Sequence, residues 1–357
     1  MSYYKLVRPL LFLLPPEAAH HLAIYALKRR LIPALPRREY PALQCRLWGL
    51  EFANPVGMAA GFDKNAEIIS PLLQQGFGHV EVGTVTPLPQ AGNPKPRLFR
   101  LMEDQAIINR MGFNNAGAVA FLSRLAHWGE GAKGYEGIVG ANIGKNKDAV
   151  DAVEDYLTLY RKVYGLSDYI TINISSPNTP GLRGLQRREE LEILLGELMK
   201  LRRELSQDLG KIPLLVKIAP DLDSDGRKDI ANVALTHQVD GLIVTNTTLS
   251  RPSSLRSLYK NETGGLSGAP LAALATEVLR DMYRFTEGKI PLIGVGGINS
   301  GDEAYARIRA GASMVQLYSA LIYEGFGLVQ RVKKRLVERL QEDGFSHISQ
   351  AVGADFR

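Results

Sequence analysis

The nine residues Asn173-Ile174-Ser175-Ser176-Pro177-Asn178-Thr179-Pro180-Gly181 are equipped for chemistry. They follow the apolar run Tyr169-Ile170-Thr171-Ile172, which reads as a buried strand. The prolines stiffen the loop, and Pro177 biases Ser176 away from helical geometry. The amides of Asn173 and Asn178 offer donors and acceptors suited to a planar, polar heterocycle. A rigid polar loop at the carboxyl end of a strand is where α/β enzymes carry out their reactions.

Two lysines extend this chemistry. Lys217 interrupts an apolar run between Val216 and Ile218, and Lys64 follows Asp63 directly after another such run. A lysine in an apolar strand is costly unless it meets an anion or an electron-rich group. A Schiff base, a phosphate clamp and a cofactor that gains negative charge on reduction all satisfy that requirement. Many amides alongside, with no obvious acid–base carboxylate, favour a flavin, whose N1/O2 edge becomes electron-rich on reduction.

Eight short apolar runs could position these groups: Pro55–Ala60, Val80–Thr84, Gly137–Ile143, Tyr169–Ile174, Leu214–Ile218, Gly241–Thr245, Pro291–Val295 and Met314–Tyr318. Helical patterns lie between the later ones, at Glu189–Asp208, Asp225–His237, Leu271–Phe285 and Asp302–Ala310. Continuous apolar strands alternating with helices predict a parallel sheet covered by helices. Eight units over roughly 250 residues is the size of a closed (β/α)8 TIM barrel. An open doubly wound sheet is weakened by the absence of GxGxxG after the first strand. Every predicted strand ends in glycine, amide, hydroxyl or lysine, which together favour a ligand-filled mouth. Gly296-Gly297 and Tyr318-Ser319, after the last two strands, sit where this fold binds phosphate. Gly264-Gly265-Leu266-Ser267-Gly268 could add backbone donors.

Composition narrows the class. Of 357 residues, 45% are hydrophobic, enough for a large core, and Cys45 is the single cysteine. That excludes an internal disulfide and a cysteine-ligated iron–sulfur or zinc site, and the sequence offers no metal site. Residues 1–45 carry Lys5, Arg8, Lys28, Arg29, Arg30, Arg37 and Arg38 against Glu17 and Glu39, a net +5 of the chain's +6. The nearly neutral remainder argues against nucleic acid as a partner. The run Leu10–Leu14, stopped by Pro15-Pro16, is too short to span a bilayer or to act as a secretory signal. Two short amphipathic helices remain, one including Pro9–Leu14 and one over Glu17–Leu31. Such a basic, apolar hairpin suits an anionic bilayer surface or a cap packed on the domain.

The chain resembles the class 2, quinone-dependent dihydroorotate dehydrogenases. The resemblance rests on Asn54-Pro55 through Lys64, Pro96–Arg100, Asn109–Asn115, Asn142–Asn146, Asn173–Leu182, Val216–Asp221, Thr245–Thr247, Gly264–Gly268 and Gly294–Ile298. It covers nearly the whole chain, including the amphipathic extension. The resemblance implies an enzyme that oxidises (S)-dihydroorotate to orotate in pyrimidine (UMP) biosynthesis, passes hydride to FMN and is re-oxidised by a membrane quinone. Ser176 matches the family's catalytic base, where soluble class 1 relatives use cysteine. The implied FMN contacts are Ala60, Gly61, Phe62, Asp63, Lys64, Thr84, Asn142, Asn173, Lys217, Thr245, Gly268, Gly297, Tyr318 and Ser319. Implied substrate contacts are Lys64, Asn109, Arg110, Met111, Gly112, Phe113, Asn173, Asn178, Asn246 and Thr247. Thr179 and a water are candidate proton relays from Ser176.

Residues 1–45 would form the helical membrane and quinone-access segment, and residues 46–357 the FMN-binding barrel. In that arrangement Leu10, Phe12, Leu13, Ala19, Leu22 and Ala23 line a quinone passage, with Arg100 and His20 or His21 near its polar end. The protein would sit peripherally on the cytoplasmic face of the bacterial inner membrane. A dihydrouridine or dihydropyrimidine flavin barrel would share the phosphate site but would lack the Asn173–Gly181 loop. A non-enzymatic membrane scaffold would explain the hairpin but not eight polar strand ends.

Overall fold

The computed structural model describes residues 4–36, 38–131 and 137–357. Arg37, one of the basic residues of the amino-terminal segment, lies outside them, as do residues 1–3. Helices α1 (Tyr4–Leu13) and α2 (Pro16–Lys28) open the chain, and a hairpin follows, β1 (Cys45–Leu47) and β2 (Leu50–Phe52). Eight parallel strands then close a barrel in the order β3 (Val56–Met58), β4 (His79–Val85), β7 (Ile138–Ile143), β8 (Tyr169–Asn173), β9 (Leu214–Ile218), β10 (Gly241–Val244), β12 (Leu292–Val295) and β13 (Ala312–Leu317), which returns to β3. These are the eight strands read from the sequence, and the closed barrel replaces the open-sheet alternative.

Outside the barrel run α3 (Ile69–Leu73), α4 (Gly117–Gly131), α5 (Ala152–Val163), α6 (Arg188–Leu209), α7 (Ser224–Thr236), α8 (Ala272–Phe285) and α9 (Gly301–Arg309). The predicted helices Glu189–Asp208, Asp225–His237, Leu271–Phe285 and Asp302–Ala310 correspond to α6 to α9. Several starts follow ordinary capping chemistry. Asp151 accepts from the N–H groups of Val153 and Glu154 at the start of α5, and Asp223 accepts from Gly226 N–H at the start of α7.

Two apolar layers form because strand residues alternate sides. The outer layer, including Val80, Ile170, Val216 and Leu292, packs against the helices. The inner one contains Tyr169, Leu215, Ile243, Ile293 and Met314. Glycines make room inside: a Cβ on Gly140 would sit 2.1 Å from the Tyr169 ring, and one on Gly57 2.1 Å from His79. The amino-terminal end of the barrel is closed by the β1–β2 hairpin. Its turn, Trp48-Gly49, has φ of 57° and 82°, the positive pair a two-residue hairpin of this hand needs. Trp48 Nε1 donates to the Asp240 carbonyl at 2.6 Å.

The opposite end carries two additions that sequence periodicity did not reveal. One is an antiparallel sheet of β5 (Leu98–Leu101), β6 (Ala106–Asn109) and β11 (Gly265–Gly268), ordered β11-β6-β5. Strands β6 and β11 pair residues about 160 positions apart, such as Ser267 with Ile107. The other is α10 (Ser319–Glu324), which leads into α11 (Gly327–Glu342), packed beside α9 on the outside of the barrel, and then α12 (Ile348–Ala351). Helix α1 begins at Tyr4, with Pro9 inside it, and α2 ends at Lys28 rather than Leu31. Tyr4 Oη donates to the Ile322 carbonyl at 2.5 Å, and Arg8 to the Tyr323 carbonyl at 3.0 Å, tying α1 to α10. Among the described residues no helix is long and apolar enough to cross a membrane.

Candidate active site

A single cavity of about 860 Å³ runs from the groove between α1 and α2 into the mouth of the barrel. Most of the predicted contact residues meet on its wall: Ala60, Gly61, Phe62, Lys64, Thr84, Asn173, Lys217, Thr245, Gly268, Gly297, Tyr318 and Ser319, with Asn109, Met111, Gly112, Phe113, Ser176, Asn178, Asn246 and Thr247. Three stand off the wall. Asp63 is buried and its carboxylate accepts the N–H groups of Glu67 and Ile68 at 2.8 Å each, so it shapes the loop after β3. Burial pushes its carboxyl up to about 6 against those hydrogen bonds. Arg110 turns outward, pairs with Glu262 at 2.6 Å and covers the Phe99 ring. Asn142 is fully buried beneath the wall.

The mouth is an ordered array of amides. Asn173 Nδ2 donates to Thr84 Oγ1 at 2.9 Å, and Thr84 Oγ1 donates to Asn142 Oδ1 at 2.5 Å. Asn173 Oδ1 accepts from Ser175 Oγ at 3.1 Å and from Asn246 Nδ2 at 3.3 Å. Asn246 Oδ1 in turn accepts the Thr247 N–H at 2.7 Å. Asn173 and Lys217 are register partners on β8 and β9, and therefore face the same side.

The Ser176 loop is fixed from several directions. Ser176 Oγ accepts the Asn178 N–H at 3.3 Å, and Asn178 Nδ2 donates to Asn109 Oδ1 at 3.2 Å. Asn93 holds the carbonyls of Arg110 and Asn178 at 3.0 and 3.1 Å. Arg183 reaches the carbonyls of Ser175 and Thr247 at 3.1 and 2.9 Å. Thr179 Oγ1 is buried and lacks a hydrogen-bond partner in the structure.

The two lysines behave differently. Lys64 Nζ donates to Asn114 Oδ1 at 2.5 Å. Burial, reinforced by the Arg97 charge and partly offset by Glu17, brings its ammonium down to about 7. Lys217 is also lowered by burial, with the Glu81 carboxylate opposing the shift. Lys217 lines the cavity, where an electron-rich ring edge would relieve the burial cost.

The other end of the mouth is glycine-rich. Gly268, Gly296 and Gly297 have φ of 95°, 109° and 76°, conformations that favour glycine. A Cβ on Gly297 would lie 2.4 Å from Ala272 Cα, so no side chain fits there. Buried Arg307 donates to the Gly296 carbonyl at 2.9 Å and to the Ala272 carbonyl at 3.2 Å, which fixes this loop. Ser319 Oγ meets Ser267 Oγ at 2.8 Å. Close backbone and paired hydroxyls suit a phosphate group.

The helical end of the cavity is apolar. Phe12, Ala19, Leu22 and Ala23 line it as expected. Leu10 and Leu13 do not: they are 67% and 82% exposed, on the outer face of α1. Of the two histidines, His20 is on the wall, edge-on to Phe62 with ring centroids 5.3 Å apart. Burial, with Lys64 nearby, lowers its imidazole to about 3, so it is neutral. His21 turns to solvent, 3.8 Å from Glu17. Arg100 lies over the Phe12 ring at 4.6 Å and donates to the Leu11 and Leu14 carbonyls that end α1. Glu17 of α2 pairs with Arg97 at 2.7 Å, an ion pair that sequence spacing could not reveal.

Fold and site together define a (β/α)8 barrel whose polar mouth opens into an apolar surface groove. The family description "Dihydroorotate dehydrogenase" matches residues 42–340, and the chain belongs to that family. It is 56% identical over 358 residues to the dihydroorotate dehydrogenase (quinone) of Azorhizobium caulinodans, covering 100% of both chains. It is 49% identical to the mitochondrial dihydroorotate dehydrogenase (quinone) of Oryza sativa, covering 99% of this chain and 80% of that one. The crystal structure of Eimeria tenella DHODH in complex with ferulenol superposes with a TM-score of 0.92 at 45% identity, covering 96% of each chain.

Proposed function

We propose that this chain oxidises (S)-dihydroorotate to orotate, with FMN as the bound cofactor and a membrane quinone as the final electron acceptor, in pyrimidine (UMP) biosynthesis. One observation carries this: the amide- and lysine-lined mouth and the apolar groove between α1 and α2 are parts of one cavity. A polar substrate at the mouth and a lipid-soluble acceptor in the groove would therefore meet one cofactor from different ends of that cavity. The full-length likeness to quinone-type relatives supports the same reading.

FMN, when bound, supplies the acceptor for the hydride leaving C6. The protein's own residues do the rest. Ser176 takes the proton from C5 as the C5=C6 double bond forms. Its hydroxyl needs a further acceptor, and Thr179 Oγ1, buried without a partner, is available to relay the proton through a water. The amides of Asn109, Asn173, Asn178 and Asn246 match the alternating N–H and C=O groups of the pyrimidine. Met111, Gly112 and Phe113 shape the wall beside it. Lys64 faces the substrate carboxylate. Lys217 would face the electron-rich edge of the flavin, and Gly268, Gly297 and Ser319 would hold its phosphate. Residues 1–45 act as the membrane and quinone-access segment of a barrel spanning 46–357. The exposed faces of Leu6, Leu10, Leu13 and Tyr25, beside basic Lys5 and Arg29, rest peripherally on the cytoplasmic face of the bacterial inner membrane.

Ser176→Ala is expected to slow flavin reduction by about 10²–10⁴-fold while leaving dihydroorotate affinity nearly unchanged. Near-normal reduction in stopped flow would refute its role as base. For Lys64 the charged form binds the substrate carboxylate, and with its ammonium at about 7 that charge is lost as pH rises. Orotate affinity, followed through the flavin spectrum, should weaken by about tenfold per pH unit above that point. In Lys64→Gln this decline should vanish and affinity should be low throughout. A wild-type affinity that stays flat through the alkaline range would contradict the assignment. Ala23→Phe should obstruct the apolar groove. Quinone turnover should then fall at least tenfold, with reduction of the flavin by dihydroorotate preserved. Equal quinone turnover in the variant would show that the acceptor enters elsewhere.

A further inference from the structure

Glu81 is a buried carboxylate that neither the sequence motifs nor the proposed reaction uses. It stands on β4, inside the barrel below the mouth, and is fully buried. Three donors converge on it. Asn142 Nδ2 donates to Glu81 Oε1 at 2.7 Å, while Gln316 Nε2 and Tyr169 Oη donate to Oε2 at 3.0 and 3.2 Å. No salt bridge joins it to a cation among the described residues, and the attraction to Lys217 acts only at longer range. A carboxylate in such a place is expensive unless its oxygens are hydrogen-bonded.

A side-chain amide has two ends, one a donor and one an acceptor, and either can face a bifunctional neighbour. With three donors on its two oxygens, Glu81 serves here only as an acceptor. Facing Glu81, Asn142 and Gln316 must both turn their NH₂ groups inward, because a carbonyl there would place lone pairs against lone pairs. Once Asn142 is turned this way, its Oδ1 faces the mouth. That oxygen accepts from Thr84 Oγ1 at 2.5 Å and from Asn173 Nδ2 at 3.3 Å. Asn173 is thereby turned as well, so its Oδ1 is the atom offered to Ser175 Oγ and Asn246 Nδ2. Asn246 then has its Oδ1 left for the Thr247 N–H. One acceptor-only group at the bottom thus sets the direction of Asn142, Asn173 and Asn246.

We infer that Glu81 is a positioning residue, which fixes the donor–acceptor polarity of the Asn142–Asn173–Asn246 array and so the pattern against which a pyrimidine is recognised. The inference rests on the proposed reading of the mouth as an orotate site. It also explains why a buried acid is kept where an amide of the same size would fit. With an amide in place of Glu81, Asn142 could satisfy the site in either orientation, and the array would lose its single direction.

The test uses the flavin-loaded protein and orotate as the probe, followed through the perturbation of the flavin spectrum. Glu81→Gln preserves volume and should weaken orotate binding at least tenfold with FMN retained. The decisive variant is the exchange Glu81→Gln with Asn142→Asp. It keeps one carboxylate and one amide in the pair, with their order reversed. The introduced amide can donate to one oxygen of the introduced carboxylate, whose other oxygen accepts from Thr84 and Asn173 as before. The carbonyl of that amide still accepts from Tyr169 and Gln316. The double variant should therefore recover affinity to within about threefold of wild type, which a role in packing alone would not produce. If Glu81→Gln loses its flavin or fails to fold, the double variant alone decides: recovered flavin and orotate binding support the inference, and failure to recover overturns it. Unchanged orotate affinity in Glu81→Gln also overturns it. Failure of the wild-type holoprotein to bind orotate would instead sink the substrate reading, and so separates the two.

Discussion

Eight parallel strands closed into a barrel must bring all their carboxyl ends to one rim. The rest of this structure depends on that constraint. The rim gathers residues as distant in the chain as Lys64, Asn173, Lys217 and Asn246 around one space. Below it, the apolar inner layer of Leu215, Ile243, Ile293 and Met314 excludes water. Charged and polar groups at the rim therefore act in a medium where unmet hydrogen bonds and bare charges are costly. Lys217 is lowered by that burial, and the amides beside it are held in one arrangement by their mutual bonds.

Much of this was legible in the sequence because strands and barrel ends obey short-range rules. The eight apolar runs, their polar carboxyl ends and the Ser175-Ser176 loop were read from local pattern, and each lies where a barrel requires. What escaped were contacts that only the folded chain creates. The β5–β6–β11 sheet depends on a strand, β11, far along the chain from the other two, and its sequence carries no clean alternation. Arg110 sits within a matching motif, but Glu262, 152 positions away, draws its guanidinium out of the mouth. Asp63 belongs to a loop-forming role that adjacency to Lys64 disguised. Leu10 and Leu13 share the composition of the groove-lining residues but lie on the other face of α1. Glu81, one acid within an apolar strand, has no local signature, because its meaning comes from Asn142, Tyr169 and Gln316 on three other strands.

The two ends of the cavity divide the chemistry. The barrel supplies hydrogen-bond donors, acceptors and charge, whereas α1 and α2 supply an apolar approach with a neutral His20 and an Arg100 spent on helix carbonyls and the Phe12 ring. Glu17 joins the two parts. Its carboxylate pairs with Arg97, which in turn holds the carbonyls of Ala91 and Asn93, and Asn93 steadies the loop bearing Ser176. Helices that would admit one reactant are thus bonded to the loop that would activate the other.

The most direct test of the central claim is anaerobic absorption spectroscopy of the flavin-loaded protein, with dihydroorotate added first and a quinone second. Bleaching of the oxidised flavin bands by dihydroorotate, followed by their return on adding quinone, is the predicted result. Flavin-loaded, folded protein whose bands do not change with dihydroorotate, yet bleach with dithionite, would contradict the account.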